Sequence, residues 1–338
     1  MTEQKKSGPK RRVLSVEDYV KGILKGNRAV LAQAITLVES SAEKHRILAQ
    51  TLINQLLPYT GKSIRIGITG VPGAGKSTFI EALGTRLCNK DHRTAVLAVD
   101  PSSSLTKGSI LGDKTRMEKL SKHPNAYIRP SPSRGMLGGV ANRTRETMLL
   151  CEAAGFNIIL VETVGTGQSE KAVRSLVDFF LLIMLTGAGD ELQGMKKGII
   201  EMADAVVINK ADGENKQHAL TMKAELNRLL HFLVPSTVGW ETKAYTCSAR
   251  NCEGIETIWK NIETFCEQTK ETQVFHRRRN EQLVDWVHFM IEEKLKKQFY
   301  ENERIKEVMP SVQQALKNGE CHASSAVERL FKIYENTH

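Results

Sequence analysis

From Val16 to about Pro58, apolar residues recur at helical spacing: Val20, Ile23 and Leu24, then Leu31, Ile35 and Val38, then Ile47, Leu48, Leu52, Ile53 and Leu56. Side chains three and four apart share one helix face, so the pattern predicts amphipathic helices, three of them, stopped by Pro58. From Ser63 the texture changes to short apolar runs separated by helix-length amphipathic stretches. The runs cover 64–69, 94–99, 157–162, 179–185, 204–209 and 244–247. Runs of this length, rich in Val and Ile, predict strands buried on both faces and therefore an α/β domain built on a mainly parallel sheet covered by helices. Beyond about Lys270 the strand pattern ends. Val284, Val287, Met290, Ile291 and Leu295, and later Leu316, Val327, Leu330 and Ile333, return to helical spacing. The expected organisation is a polar tail over 1–14, a helical segment over 15–60, an α/β domain over 61–270 and a helical arm over 271–338.

Composition narrows the classes. The 338 residues are 41% hydrophobic and 25% charged, close to a soluble globular average, which excludes a disordered, collagen-like or membrane-bundle chain. The apolar block 179–185 is far short of the roughly 20 residues a spanning helix needs and reads as a buried strand. The basic start lacks a following apolar run, so no secretory signal is expected. The six cysteines contain no C-x-x-C pair and read as reduced thiols, in keeping with a cytoplasmic protein. The net charge of +10 sits partly in two runs, 5–12 and His276-Arg277-Arg278-Arg279. Neither interleaves aromatics, so both read as solvated faces, with no nucleic acid and no membrane as partner.

The candidate chemistry begins directly after the first apolar run. Gly70-Val71-Pro72-Gly73-Ala74-Gly75-Lys76-Ser77-Thr78 fits G-x-x-x-x-G-K-[ST], between a predicted strand and a helix-forming stretch. Glycines let successive N–H groups turn inward around phosphates, and the helix N-terminus adds the positive end of its dipole. Lys76 is placed to reach β/γ oxygens and the Ser77 hydroxyl to ligate Mg²⁺. A second run, 205–208, empties into Asn209-Lys210-Ala211-Asp212. The Asp212 carboxylate suits the N1–H and N2–H₂ edge of guanine; adenine has no such donor pair and would leave a buried carboxylate unsatisfied. Ser248-Ala249-Arg250, after a third run, is placed to close over the base with backbone N–H groups. The set favours GTP and GDP over adenine nucleotides.

Two further strand ends carry carboxylates. The run 157–162 leads into Glu162-Thr163-Val164-Gly165, in which a carboxylate is followed three residues on by a glycine whose N–H can sense a γ-phosphate. Earlier, Val99-Asp100-Pro101 ends another strand, and Asp113 follows in a polar segment. Mg²⁺ holds few protein carboxylates and keeps waters, so Asp100, Asp113 and Glu162 are not all expected to ligate together with Ser77; some exchange between nucleotide states or act through water. Asp113 reads equally as a helix N-cap. Gln168, rather than the residue after Gly165, is the nearest glutamine, which predicts slow intrinsic hydrolysis accelerated by a partner.

In order along the chain, the phosphate loop, Gly108-Ser109-Ile110-Leu111-Gly112-Asp113-Lys114-Thr115-Arg116-Met117, Glu162-Thr163-Val164-Gly165 and Asn209-Lys210-Ala211-Asp212 closely resemble the MeaB/ArgK-type GTPases, the family of the methylmalonic aciduria type A protein. The resemblance runs from about Ser15 to the end. It implies a P-loop NTPase with a SIMIBI-like G domain, forming a homodimer through the C-terminal arm. It also implies a partner, an adenosylcobalamin-dependent methylmalonyl-CoA mutase or related acyl-CoA mutase, whose cofactor loading the GTPase gates. The loop 187–197 resembles the family's additional switch, in which Gln193 and Lys196 would signal nucleotide state. Thr166 departs from the family, where Val is common. Three other readings compete: a metal-delivering GTPase, disfavoured by scattered histidines; a kinase tied to amino-acid (Lys/Arg/Orn) transport; and a nucleotide-sensing scaffold with little turnover.

Overall fold

The computed structural model describes residues 14–40, 42–99, 117–130, 137–163, 169–186 and 197–336. Three helices open the chain: α1 (Val16–Leu24), α2 (Arg28–Val38) and α3 (Glu43–Leu56). Ser15 and Asp18 form a capping box on α1, and the Asn27 side chain accepts from the N–H groups of Ala29 and Val30 to start α2. Then follow β1 (Ile64–Gly70), α4 (Lys76–Cys88), β2 (Thr94–Val99), α5 (Glu118–Lys122), β3 (Ala126–Arg129), α6 (Leu137–Ala153), β4 (Ile158–Thr163), α7 (Ser169–Arg174), β5 (Phe179–Leu185), α8 (Lys197–Met202), β6 (Ala205–Asn209), α9 (Asn215–His231), β7 (Lys243–Thr246) and α10 (Ile255–Glu271). The chain ends in α11 (Val274–Glu301), α12 (Glu303–Lys317) and α13 (Ala323–Glu335).

All seven strands run parallel in the order β3-β2-β4-β1-β5-β6-β7. Alternation sorts their side chains. On β5, Phe179, Leu181 and Ile183 enter the core under α4 and α10, whereas Phe180 joins the core beneath α1–α3 and α6, and Leu182 and Met184 that beneath α8 and α9. Both faces are covered, which is why these strands are continuous apolar runs rather than alternating ones. The sequence pattern misses β3: it pairs with β2 alone at the sheet edge, and only Ala126 of its four residues is buried.

The chain divides into two compact units, 1–279 and 280–338. In the second, Ile305 and Val312 of α12 pack with Ala326 and Leu330 of α13. There, too, Val284, Val287, Ile291 and Leu295 form an exposed apolar stripe along α11.

One expectation needs correction. Arg278 and Arg279 are not a solvated face. Arg279 clamps the Asp178 carboxylate with Nε and Nη2, both at 2.7 Å, and also donates to the carbonyls of Gly61 and Ser63. Arg278 donates to the Asp178 carbonyl and the Thr237 hydroxyl. Two buried carboxylates, Asp178 and Asp204, lie at the amino ends of β5 and β6, and ions taken from water require such partners. Among the described residues no helix is long and apolar enough to cross a membrane.

Candidate nucleotide site

Chain order reverses around β1. The path leaves β1 for β2, passing over the place later filled by β4, and returns across β1 to β5. Open α/β sheets bind ligands at such switch points, outside the carboxyl ends of the strands. The predicted residues converge there. Gly70 ends β1 level with Ile183 on β5, and Glu162 on β4 lies level with Ile68 on β1 and Ala98 on β2. Asn209 ends β6 beside Leu185.

The phosphate loop owes its path to two glycines. Gly70 has φ 149°, and a Cβ there would lie 2.1 Å from the Ile183 carbonyl oxygen, so only glycine lets the loop leave the sheet at this point. Gly75, with φ 84°, is the N-cap of α4, and a Cβ on it would lie 2.5 Å from Asn209 Nδ2. Pro72, Gly73 and Thr78 are exposed, Val71 and Ser77 half-buried, and Ala74 buried. Thus the outer face of the loop and the first turn of α4 are open to an anion. Lys76 is buried, and its Nζ donates to the carbonyls of Gly70 (2.7 Å) and Val71 (3.1 Å), folding the cation back over the loop.

Ser77 Oγ donates to Glu162 Oε1 at 2.9 Å. This links the first turn of α4 to the end of β4, and one residue further along β1 and β4 Thr163 Oγ1 donates to Thr69 Oγ1 at 2.8 Å. A hydroxyl and a carboxylate this close supply the hard oxygen donors that Mg²⁺ prefers, so the residues present fit that ion.

On the other side, Asn209 spans two loops. Its Nδ2 donates to the Ala74 carbonyl at 2.9 Å, and its Oδ1 accepts from the Ala249 N–H at 3.1 Å and the Cys247 thiol at 3.3 Å. Burial, and then the nearby Asp212 carboxylate, push that thiol up to about 12, so it stays protonated as a donor. Asp212 is half-buried and its Oδ2 accepts from Ser248 Oγ, which in turn accepts from the Asn251 N–H at 3.2 Å. Lys210, in the left-handed region at φ 58°, and Arg250 are exposed.

The geometry therefore brings together Gly70 to Thr78, Glu162, Asn209, Lys210, Asp212, Ser248, Ala249 and Arg250. Two details differ from expectation. The Ala249 N–H is occupied by Asn209 rather than held open for a base, and Ser248 acts through its hydroxyl on Asp212. Sequence reasoning misses the Thr69–Thr163 pair and the Cys247 thiol; their only signal is a polar residue within an otherwise apolar strand end. Asp100, Asp113, Gly165, Thr166, Gln168, Gln193 and Lys196 lie outside the described residues.

Comparison with known proteins agrees with this architecture. The family described as methylmalonyl Co-A mutase-associated GTPase MeaB matches residues 31–304. The chain is 41% identical to the GTPase ArgK of Escherichia coli K12, over 95% of this chain and 97% of the relative. It is 44% identical to the mitochondrial methylmalonic aciduria type A homolog of Mus musculus, over 96% of this chain and 80% of the relative. The crystal structure of a LAO/AO transport system kinase superposes with a TM-score of 0.75 at 36% identity, covering 95% of this chain and 97% of that one. With its phosphate loop set at the switch point of a parallel sheet, the chain is a P-loop GTPase and belongs to the MeaB family.

Proposed function

We propose that the protein is a GTP-hydrolysing chaperone that gates adenosylcobalamin loading of methylmalonyl-CoA mutase or a related acyl-CoA mutase and protects that enzyme. The carrying observation is the Ser77–Glu162 hydrogen bond: it couples the phosphate-binding helix to the strand that precedes Gly165 in the sequence. The N–H groups at the start of α4 receive the β- and γ-phosphates, and Lys76 exchanges its two carbonyl partners for phosphate oxygens. Asp212, oriented by Ser248, accepts the two donors of guanine, while Asn209 holds the phosphate loop and the base loop at a fixed separation. Ser77 and Glu162, with Asp100 and Asp113 entering directly or through water, would hold Mg²⁺, which when bound neutralises charge between the β- and γ-phosphates. Gly165 reports the γ-phosphate through its N–H, and Gln193 and Lys196 relay nucleotide state to the partner. The apolar stripe of α11 supports a homodimer formed through the C-terminal arm.

Single-turnover GTP hydrolysis with and without purified mutase tests this reading. The expected result is slow release of inorganic phosphate alone and faster release with the mutase. Hydrolysis already fast, and indifferent to the mutase, would overturn it. The kinase reading, which the transport-system relative keeps in play, predicts label on a protein acceptor instead.

A further inference from the structure

The connection from α9 to β7, residues 232–242, combines a fixed backbone with bare apolar side chains. Six side-chain hydrogen bonds hold it, one of them from Thr242 Oγ1 to the Ala203 carbonyl at 3.0 Å. Thr237 Oγ1 donates to Asp204, Arg278 donates to Thr237, and Arg174 Nη2 donates to Ser236 Oγ at 3.0 Å. Trp240 Nε1 reaches the Asp204 carbonyl at 2.8 Å and Gln268 Nε2 the Gly239 carbonyl at 2.9 Å. On this anchored segment Phe232 is 85% exposed, Val234 87% and Val238 69%, with Leu229 at the end of α9 adding 46%. A loop held this way cannot fold its apolar groups inward, and clustered apolar exposure on a preorganised segment marks a protein contact.

Beside it, α9 and the sheet-edge strand β7 enclose a groove of about 650 Å³. Lys223, Arg228, His231, Phe232, Lys243 and Tyr245 contribute to its lining. Lys243 is paired with Glu241 at 2.9 Å, but Lys223 and Arg228 have no ion-pair partner among the described residues. The rim therefore carries uncompensated positive charge next to apolar anchors, which selects an acidic surround on the partner.

We propose that this face docks the client mutase, with Phe232 and Val234 entering an apolar depression on it and Lys223 and Arg228 meeting carboxylates at its edge. The assignment rests on the mutase reading above and adds where that partner binds. It is tested with the full chain carrying Phe232→Glu with Val234→Glu, or Lys223→Glu with Arg228→Glu, titrated calorimetrically into purified adenosylcobalamin-dependent methylmalonyl-CoA mutase at low and high salt. The first pair is expected to weaken Kd at least tenfold. The second is expected to weaken it at low salt and flatten its salt dependence. GTP turnover without mutase should stay within twofold of wild type in both, which also verifies folding. Wild-type affinity in both variants would overturn the docking face alone, whereas a wild-type chain that does not bind the mutase would sink the mutase reading as well. Conversion of a dimer to a monomer by the Phe232 and Val234 changes, seen by sedimentation, would reassign the face to a second copy and also overturn the proposal.

Discussion

At the amino ends of the strands, buried carboxylates and guanidiniums pair with one another; at the carboxyl ends, Lys76 and Ser77 bond to partners that a nucleotide and its metal ion can replace. Arg65, Glu152, Asp178 and Asp204 are all buried at the amino edge. Glu152 accepts from Arg65 Nε at 2.8 Å, from Ser63 Oγ and from the Gly61 N–H. Burial alone would raise its pKa, but Arg65 and those hydrogen bonds outweigh burial and hold the carboxyl below its ordinary range. At the carboxyl edge, Lys76 rests on the Gly70 and Val71 carbonyls and Ser77 on Glu162, hydrogen bonds that a phosphate or a metal ion can take over. One sheet thus carries a closed ionic network at one end and a set of interruptible contacts at the other. The first supplies rigidity and the second leaves room for a ligand to do work.

Substitutions should separate the two ends. The largest expected effect is Arg279→Ala, which leaves Asp178 buried without its clamp and should cost about 3–5 kcal/mol of stability. The measurement is chemical denaturation, with GTP affinity of the folded fraction unchanged; an unmoved midpoint would break the comparison. Lys76→Ala should do the reverse, lowering GTP turnover about 10²–10³-fold with little shift in the midpoint, since it removes charge stabilisation at the transferring phosphate. Asp212→Asn replaces an acceptor with a donor. It should weaken guanine nucleotides by about 1.5–3 kcal/mol and favour xanthine nucleotides, as read by competitive binding.

The smallest effect concerns Glu146 on α6, whose carboxyl is pushed by burial, against the opposing charge of Arg143, up to about 7 from an ordinary 4.5. Its folded-state pKa is raised, so the protonated form favours the fold and this contribution is lost as pH rises from 4.5 through 7. Glu146→Gln should therefore gain stability relative to wild type at pH 8 compared with pH 5. Equal differences at both pH values would remove Glu146 from the account.

Legibility followed the range of the interactions. The three opening helices and six of seven strands could be read from spacing, because burial on one face or two imposes a local period. β3 escaped because an edge strand with one buried residue imposes almost none. The phosphate loop could be read because its glycine and lysine positions serve neighbouring atoms. The hydroxyl of Ser248 on Asp212 could not, since the two are 36 residues apart and meet only through the pairing of β6 with β7. The run 276–279 misled for the same reason. Four basic residues in a row look solvated until Asp178, about 100 residues earlier, is brought beneath them.

What the sequence determined by itself was local: where helices and strands form, where backbone must turn through left-handed glycine, and that a strand, a phosphate loop and a helix follow one another. What only the tertiary structure decided was partnership. The insertion of β4 between β2 and β1 sets Glu162 against Ser77, and the amino edge turns arginines that look exposed into buried counter-ions. A side chain's own chemistry states that a charge needs a partner or water, but which of the two it receives depends on the chain path that brings distant residues within about 3 Å.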